Sequence, residues 1–317
     1  MGKASRTKVE SSRREKIAAQ RAAARRAEQR RRILIAGGSI LAVIIIIVAF
    51  IVIKANSGSS TSAGSGSSTS ANGPTGSALA SVVAKVTSVP ASTLNSVGSG
   101  GGAVTALPQT VKGGTALTSG GKPEMLYMGA EYCPYCAAER WGMIVALSRF
   151  GTFSGLATVH SGIKDGAGQA EPYPATSTWT FANATYTSKY LTFTSVEMQT
   201  NIPDSSNGSY TTLQTPTAAQ NTLIDKLDAA PYTTEAGAIP FIDFGGKHLV
   251  IGASYTPQVL SGLTWSTIAS DLSNPSSPVA QAVDGTANYI TAAICTMTGN
   301  QPASACTSAV QSLESKI

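Results

Sequence analysis

Residues 125–150 read MLYMGAEYCPYCAAERWGMIVALSRF, and the fold turns on how this stretch divides. Residues 125–130 (MLYMGA) are an apolar run short enough for a buried strand, whereas residues 137–150 carry Trp141, Ile144 and Val145 at helical spacing. Cys133-Pro134-Tyr135-Cys136 therefore sits where a strand hands over to a helix. The unpaired amides and the macrodipole at a helix N-terminus favour negative charge. They stabilise a thiolate at Cys133 and make it nucleophilic, while Cys136, one turn further in, is shielded. Two thiols at this spacing and junction make a compact redox centre.

Working outward, residues 78–89 read as a short helix stopped by Pro90, followed by a Gly-rich loop at 98–102. That loop lacks a following helix and a GKS/T ending, which argues against a phosphate cradle. Strand patterns recur at 155–160, 177–181 and 190–196, and the polar stretch 200–216 reads as a surface loop before an amphipathic helix at 217–227. Residues 238–244 (AIPFIDF), Gly245-Gly246 and residues 247–252 (KHLVIG) have the turn chemistry of a hairpin. Helical segments at 264–272, 278–297 and 303–316 close the chain.

The 317 residues are 42% hydrophobic and only 13% charged, a balance that suits an exported surface rich in Ser, Thr and Gly. The formal charge of +6 is segregated: residues 1–32 hold twelve Lys/Arg against three acids, leaving a net −3 over the rest. This basic block abuts residues 33–53, 21 positions without a charge, long enough to cross a bilayer as a helix of roughly 31 Å. The asymmetry of Lys/Arg across that span places the N-terminus in the cytoplasm and everything after Lys54 outside. The basic charge is thus read as facing lipid rather than nucleic acid. The expected organisation is a basic cytoplasmic tail (1–32), a transmembrane helix (33–53), a Ser/Gly-rich linker (54–77) and an extracytoplasmic domain (78–317).

A strand, a CPYC at the head of a helix, a later Ile-Pro opening a hairpin and a final helix occur in an order that resembles the thioredoxin fold. That resemblance implies an α/β domain with a mixed sheet flanked by helices and, because 104 positions separate Cys136 from Pro240, an insertion before the cis-Pro strand. It also implies that Pro240 is a cis-proline facing Cys133 and Cys136, and that the backbone of Ile239 holds a substrate strand. More closely, KPEMLYMGAEYCPYCAAERW (122–141) and AICTMTGNQPASAC (293–306) resemble the uncharacterised family catalogued as domain of unknown function 929, which supports the fold and leaves the reaction open.

The expected function is thiol-disulfide exchange on the thiols or disulfides of exported proteins. Cys133 attacks and Cys136 resolves, Ile239, Pro240 and Tyr135 contact substrate, and the anchor is compatible with a redox partner in the membrane. No cofactor motif accompanies the dithiol: Ala137 stands where haem attachment needs His, and His160 and His248 are too far apart in sequence to suggest a metal site. The competing reading is a non-catalytic binding module with two structural disulfides. For Cys133 and Cys136 the alternatives are a structural disulfide or half a zinc site. Cys295 and Cys306 suit a structural staple worth roughly 2 to 3 kcal/mol, with a redox relay to the first pair as the sharper alternative. Glu131 and Glu139 beside the motif read as solvated carboxylates, with a proton relay to Cys136 as the sharper alternative, and Arg140 is placed to offset their effect on the thiols.

Overall fold

The computed structural model describes residues 73–234 and 236–317. The basic tail, the apolar span expected to cross a membrane and the linker up to residue 72 lie outside the described residues. Among the described residues no helix is long and apolar enough to cross a membrane.

Helix α1 (Gly76–Thr87) ends before Pro90, and a short α2 (Ala91–Val97) follows. Two-residue strands β1 (Gln109–Thr110) and β2 (Thr118–Ser119) lead into β3 (Lys122–Gly129) and α3 (Pro134–Leu147). Next come β4 (Gly151–Ser154), β5 (Ala157–His160), β6 (Ser177–Thr180), β7 (Thr185–Ser188) and β8 (Thr192–Glu197). The chain continues through β9 (Gln199–Asp204), β10 (Ser209–Thr212) and α4 (Ala218–Leu227) to the hairpin β11 (Phe241–Phe244) and β12 (His248–Ile251). Helices α5 (Trp265–Asp271), α6 (Pro278–Thr298) and α7 (Ser308–Glu314) complete it.

The main sheet is mixed. Along it run β1, β12, β11 and β3, each antiparallel to its neighbour, and on the far edge of β3 lie antiparallel β2 and parallel β8. Alternation along the central strands assigns two faces. Met125, Tyr127, Ile242, Phe244 and Val250 join the core built with α3 and α6, while Leu126, Met128, Phe241 and Leu249 join a second core with Leu227 of α4. Helices thus cover both faces of a mixed α/β layer. Helix α3 is buried at every position except Tyr135, because the sheet, α6 and β6 surround it. Gly142 permits the close approach of α6: a Cβ there would lie 2.9 Å from a carbon of Thr286.

Most of residues 200–216, expected as a loop, belongs to the β9–β10 hairpin, which ends at Thr212. Asp204 organises its turn by accepting hydrogen bonds from the Ser206 amide and hydroxyl and from the Asn207 side chain, and Gly208 takes a φ of 69°. The strands read as polar because most of their residues are polar and only Tyr210 is buried. Strand β7 also went unread; it pairs with β4 across more than thirty residues of sequence.

Cys295 and Cys306 are disulfide-bonded, with Cα atoms 5.7 Å apart, and join the end of α6 to the approach to α7. Met297 lies against Gly245, at the Phe244 end of β11, whereas residues 129–133 lie beyond its Phe241 end. The two cysteine pairs are therefore separated by at least the length of β11, on the order of 10 Å, and a relay by direct contact is closed in this arrangement.

Two acids lie buried where α3, α6 and the 252–256 loop meet. Glu139 accepts from the Ser254 amide at 2.8 Å and hydroxyl at 2.9 Å, and burial outweighs these bonds to push it up to about 7. Asp284 has no protein partner for either oxygen, and burial pushes it up to about 8. Between about pH 4 and these values the folded chain keeps protons that the unfolded chain releases, so stability falls as pH rises across that window. The melting temperature is expected to drop between about pH 5 and pH 8, and Asp284→Asn is expected to flatten the slope. Thermal scans across the range check this; a level or rising profile in the parent protein contradicts it.

Candidate active site

Cys133 is the N-cap of α3. Its backbone is extended at φ −69° and ψ 119°, Pro134 follows in the first turn, and its sulfur accepts from the Cys136 amide at 3.2 Å. The sulfur thus occupies the place that a Ser or Asp side chain fills in most helices, facing amides with no intrahelical acceptor. Both thiols are unbonded; Cys133 is 4% exposed and Cys136 fully buried. Burial pushes the Cys133 thiol up, but hydrogen bonds from the Cys136 thiol and amide, the Arg140 charge and the Tyr135 amide together hold it below its usual value. Cys136 goes the other way: burial, its bond to Cys133 and the charge there raise it well above the thiol range, against the pull of Arg140. The environment thus splits the pair into one thiolate-prone sulfur and one held protonated.

The Ile239–Pro240 peptide is cis. Ile239 packs against the cluster of Ala130, Cys133 and Cys136, and its carbonyl accepts from the Cys133 thiol at 3.7 Å. Beside it opens a groove of about 480 Å³ whose wall includes Tyr135, Ile239, Thr105, Ala253 and Tyr255, with no charged residue among its lining. Tyr135 is 40% exposed at this edge.

Beneath the dithiol lies a fully buried ion pair. Arg140 donates through Nε and Nη2 to the two carboxylate oxygens of Glu197 at 2.9 and 2.6 Å, and through Nη2 to the Ala130 carbonyl at 2.7 Å. Glu197 also accepts from the Phe181 amide at 3.2 Å. This bidentate pair ties α3 to the ends of β3 and β8. Burial acts to lower the Arg140 pKa, and the Glu197 carboxylate more than reverses that, so the guanidinium stays charged.

The long segment between the motif and Pro240 wraps the mouth of the site. The Gly162 amide donates to the Tyr132 carbonyl at 2.7 Å, the Met198 amide to Gly129 at 2.7 Å, and the Glu131 amide to Gln199 at 2.9 Å. Tyr210 of β10 stacks on Tyr132 with ring centres 4.2 Å apart, and Tyr173 meets Tyr135 edge-on at 5.9 Å.

Of the residues singled out in the sequence, Cys133, Cys136, Tyr135, Ile239 and Pro240 come together here, while Cys295 and Cys306 do not. Two expectations need correction. Glu139 is fully buried and Glu131 is 8% exposed, so neither is a solvated flank, and Arg140 pairs with Glu197 rather than with either of them. Sequence reasoning missed Glu197, Tyr210 and Tyr127. For Glu197 a signal existed in Arg140: a charged side chain inside an otherwise apolar helix calls for a partner elsewhere in the chain.

Residues 111–296 match the family model described as Domain of unknown function (DUF929), and the chain belongs to that family. No curated protein and no solved structure matches it.

Glu197→Gln leaves the Arg140 charge buried without its counter-ion and is expected to cost about 3–5 kcal/mol in urea unfolding. Combining Glu197→Leu with Arg140→Met is expected to recover most of that loss while raising the Cys133 pKa, read from alkylation rate against pH, because the Arg140 charge is gone. Equal stability of Glu197→Gln and parent contradicts the role given to the pair.

Proposed function

We propose that the domain is thioredoxin-like and performs thiol-disulfide exchange on exported proteins through Cys133 and Cys136, held outside the cell membrane by the apolar span at 33–53 with the N-terminus in the cytoplasm. The observation that carries this reading is the Cys133 sulfur: an unbonded N-cap, its pKa lowered, lying against the carbonyl that precedes a cis-proline. The elements behind the resemblance occur around one sheet: β3, α3 headed by the dithiol, the β11–β12 hairpin opened by Ile239–Pro240, and α6.

In the reducing direction the Cys133 thiolate attacks a substrate disulfide. A Cys133–substrate disulfide forms and the second substrate sulfur leaves with the electron pair. Cys136, once deprotonated, attacks the Cys133 sulfur, releases the substrate as a thiolate and leaves a Cys133–Cys136 disulfide. The reverse sequence oxidises a substrate dithiol, and the direction follows the potential of the partner. Ile239 and Tyr135 line the uncharged groove where the chain flanking a substrate cysteine lies, and the 3.7 Å contact between Cys133 and Ile239 is weak enough to give way to it.

The rival, a non-catalytic module, draws on the 4% exposure of Cys133, which leaves the sulfur at the floor of its groove. Cys136→Ala separates the two. With the resolving thiol gone, the enzyme reading expects a mixed disulfide between Cys133 and a cystine-containing peptide to accumulate on a gel or by mass spectrometry, and none with Cys133→Ser. No adduct from folded Cys136→Ala, with Cys133 alkylated only after unfolding, sinks the exchange reading and favours the module.

A further inference from the structure

The exchange reading leaves one problem unsolved. Cys136 is fully buried and its thiol is held protonated, yet each exchange cycle requires a thiolate there, as nucleophile in one direction and leaving group in the other. The surroundings contain two donors without an acceptor. The Tyr127 hydroxyl and Arg140 Nη1 are buried and have no protein partner. Tyr127 is fully buried on β3, its ring edge-on to Phe181 at 5.5 Å and faced by the Arg140 guanidinium at 5.7 Å, so packing fixes the position of its hydroxyl oxygen. Gly129, two residues on and on the same face of the strand, shows where it points. A Cβ there would lie 2.2 Å from the Tyr127 oxygen and 3.0 Å from the Cys136 sulfur. Phenol and sulfur converge on the space that the missing side chain leaves. A buried donor of this kind is unfavourable to leave unmade unless some state of the protein supplies its acceptor.

We infer that the Tyr127 hydroxyl is the hydrogen-bond donor reserved for the Cys136 thiolate, across the gap left by Gly129. The inference rests on the exchange reading. When a substrate thiolate attacks the Cys133 sulfur of the oxidised pair, the new bond joins substrate to Cys133, the Cys133–Cys136 bond breaks, and its electron pair departs on Cys136. Tyr127 donates to that sulfur without losing its proton, and the Arg140 guanidinium over the Tyr127 ring adds positive charge nearby. In the reverse step the same bond raises the fraction of Cys136 present as thiolate in the mixed disulfide.

The test is the titration of Cys136 in a Cys133→Ser background, followed by thiolate absorbance against pH, together with the pH profile of mixed-disulfide resolution in the parent motif. The groups facing Cys136 are residue 133 and Arg140 from α3, Tyr127 from β3 and Tyr132 before the helix, with Glu197 of β8 behind Arg140. Only Tyr127 is changed. Tyr127→Phe keeps the ring packing and is expected to raise the Cys136 pKa by about one unit and to slow resolution about tenfold at neutral pH, the size expected for one lost hydrogen bond to a charged group. Its melting temperature is expected to hold or rise, since a buried hydroxyl without a partner has been removed. A fluorinated tyrosine at 127, a stronger donor, is expected to move the Cys136 titration in the opposite direction. Coincident titrations for parent, Tyr127→Phe and fluorotyrosine proteins overturn the role of Tyr127, whereas absence of any exchange in the parent overturns the reading beneath it.

Discussion

A single guanidinium holds the functional end of this domain together. Arg140 reaches from the first turns of α3 to the carbonyl of Ala130, three residues before Cys133, and to both oxygens of Glu197 at the end of the parallel neighbour β8. A charge with no solvent exposure is tolerable only when paired and hydrogen-bonded, so the relative positions of β3, α3 and β8 are constrained together. Through Glu197 the same pair fixes the Phe181 amide at the end of β6, which binds the strands between the motif and Pro240 to the site. Stability and chemistry share this group, since the Arg140 charge also lies close enough to lower both thiols.

Above that anchor, local geometry separates two chemically identical side chains. Cys133 serves as helix cap and is surrounded by donors; Cys136, three residues on, is enclosed and donates to its neighbour. The asymmetry follows from position along one helical turn, through burial and the hydrogen bonds each sulfur makes. The segment between the motif and Pro240 supplies what a helix terminus alone cannot. Its hydrogen bonds to Gly129, Glu131 and Tyr132 and the stacked Tyr132–Tyr210 rings shape the rim of the site, and leave the uncharged groove beside Ile239 as the open side.

What was legible in the sequence follows the range of the interactions. The strand-to-helix junction at Cys133 rests on contacts a few residues apart, and the β11–β12 hairpin on alternation around Gly245-Gly246; both are readable from pattern. Pro240 is expected against the dithiol from the resemblance, not from spacing; the peptide before it is cis, and its neighbour Ile239 packs against the two cysteines. Arg140 and Glu197 are 57 residues apart, and nothing near Glu197 marks it as a buried partner. The β9–β10 hairpin was hidden for a different reason: its residues are mostly polar and only Tyr210 is buried, so its strands lack apolar alternation, and only the Asn207-Gly208 turn hinted at it. The burial of Glu139 was likewise out of reach, because Ser254, 115 residues away, provides its hydrogen bonds.

The central claim is that Cys133 and Cys136 exchange between dithiol and disulfide under physiological control. Its most direct measurement is the reduction potential of that pair in the intact chain, equilibrated in thiol-disulfide buffers and resolved from Cys295–Cys306 by mass spectrometry of the alkylated peptides. A potential between about −120 and −270 mV, the range of known exchange proteins, is the predicted result, and its value sets the direction of transfer. A potential well below about −300 mV would mark the pair as a structural disulfide and contradict the account.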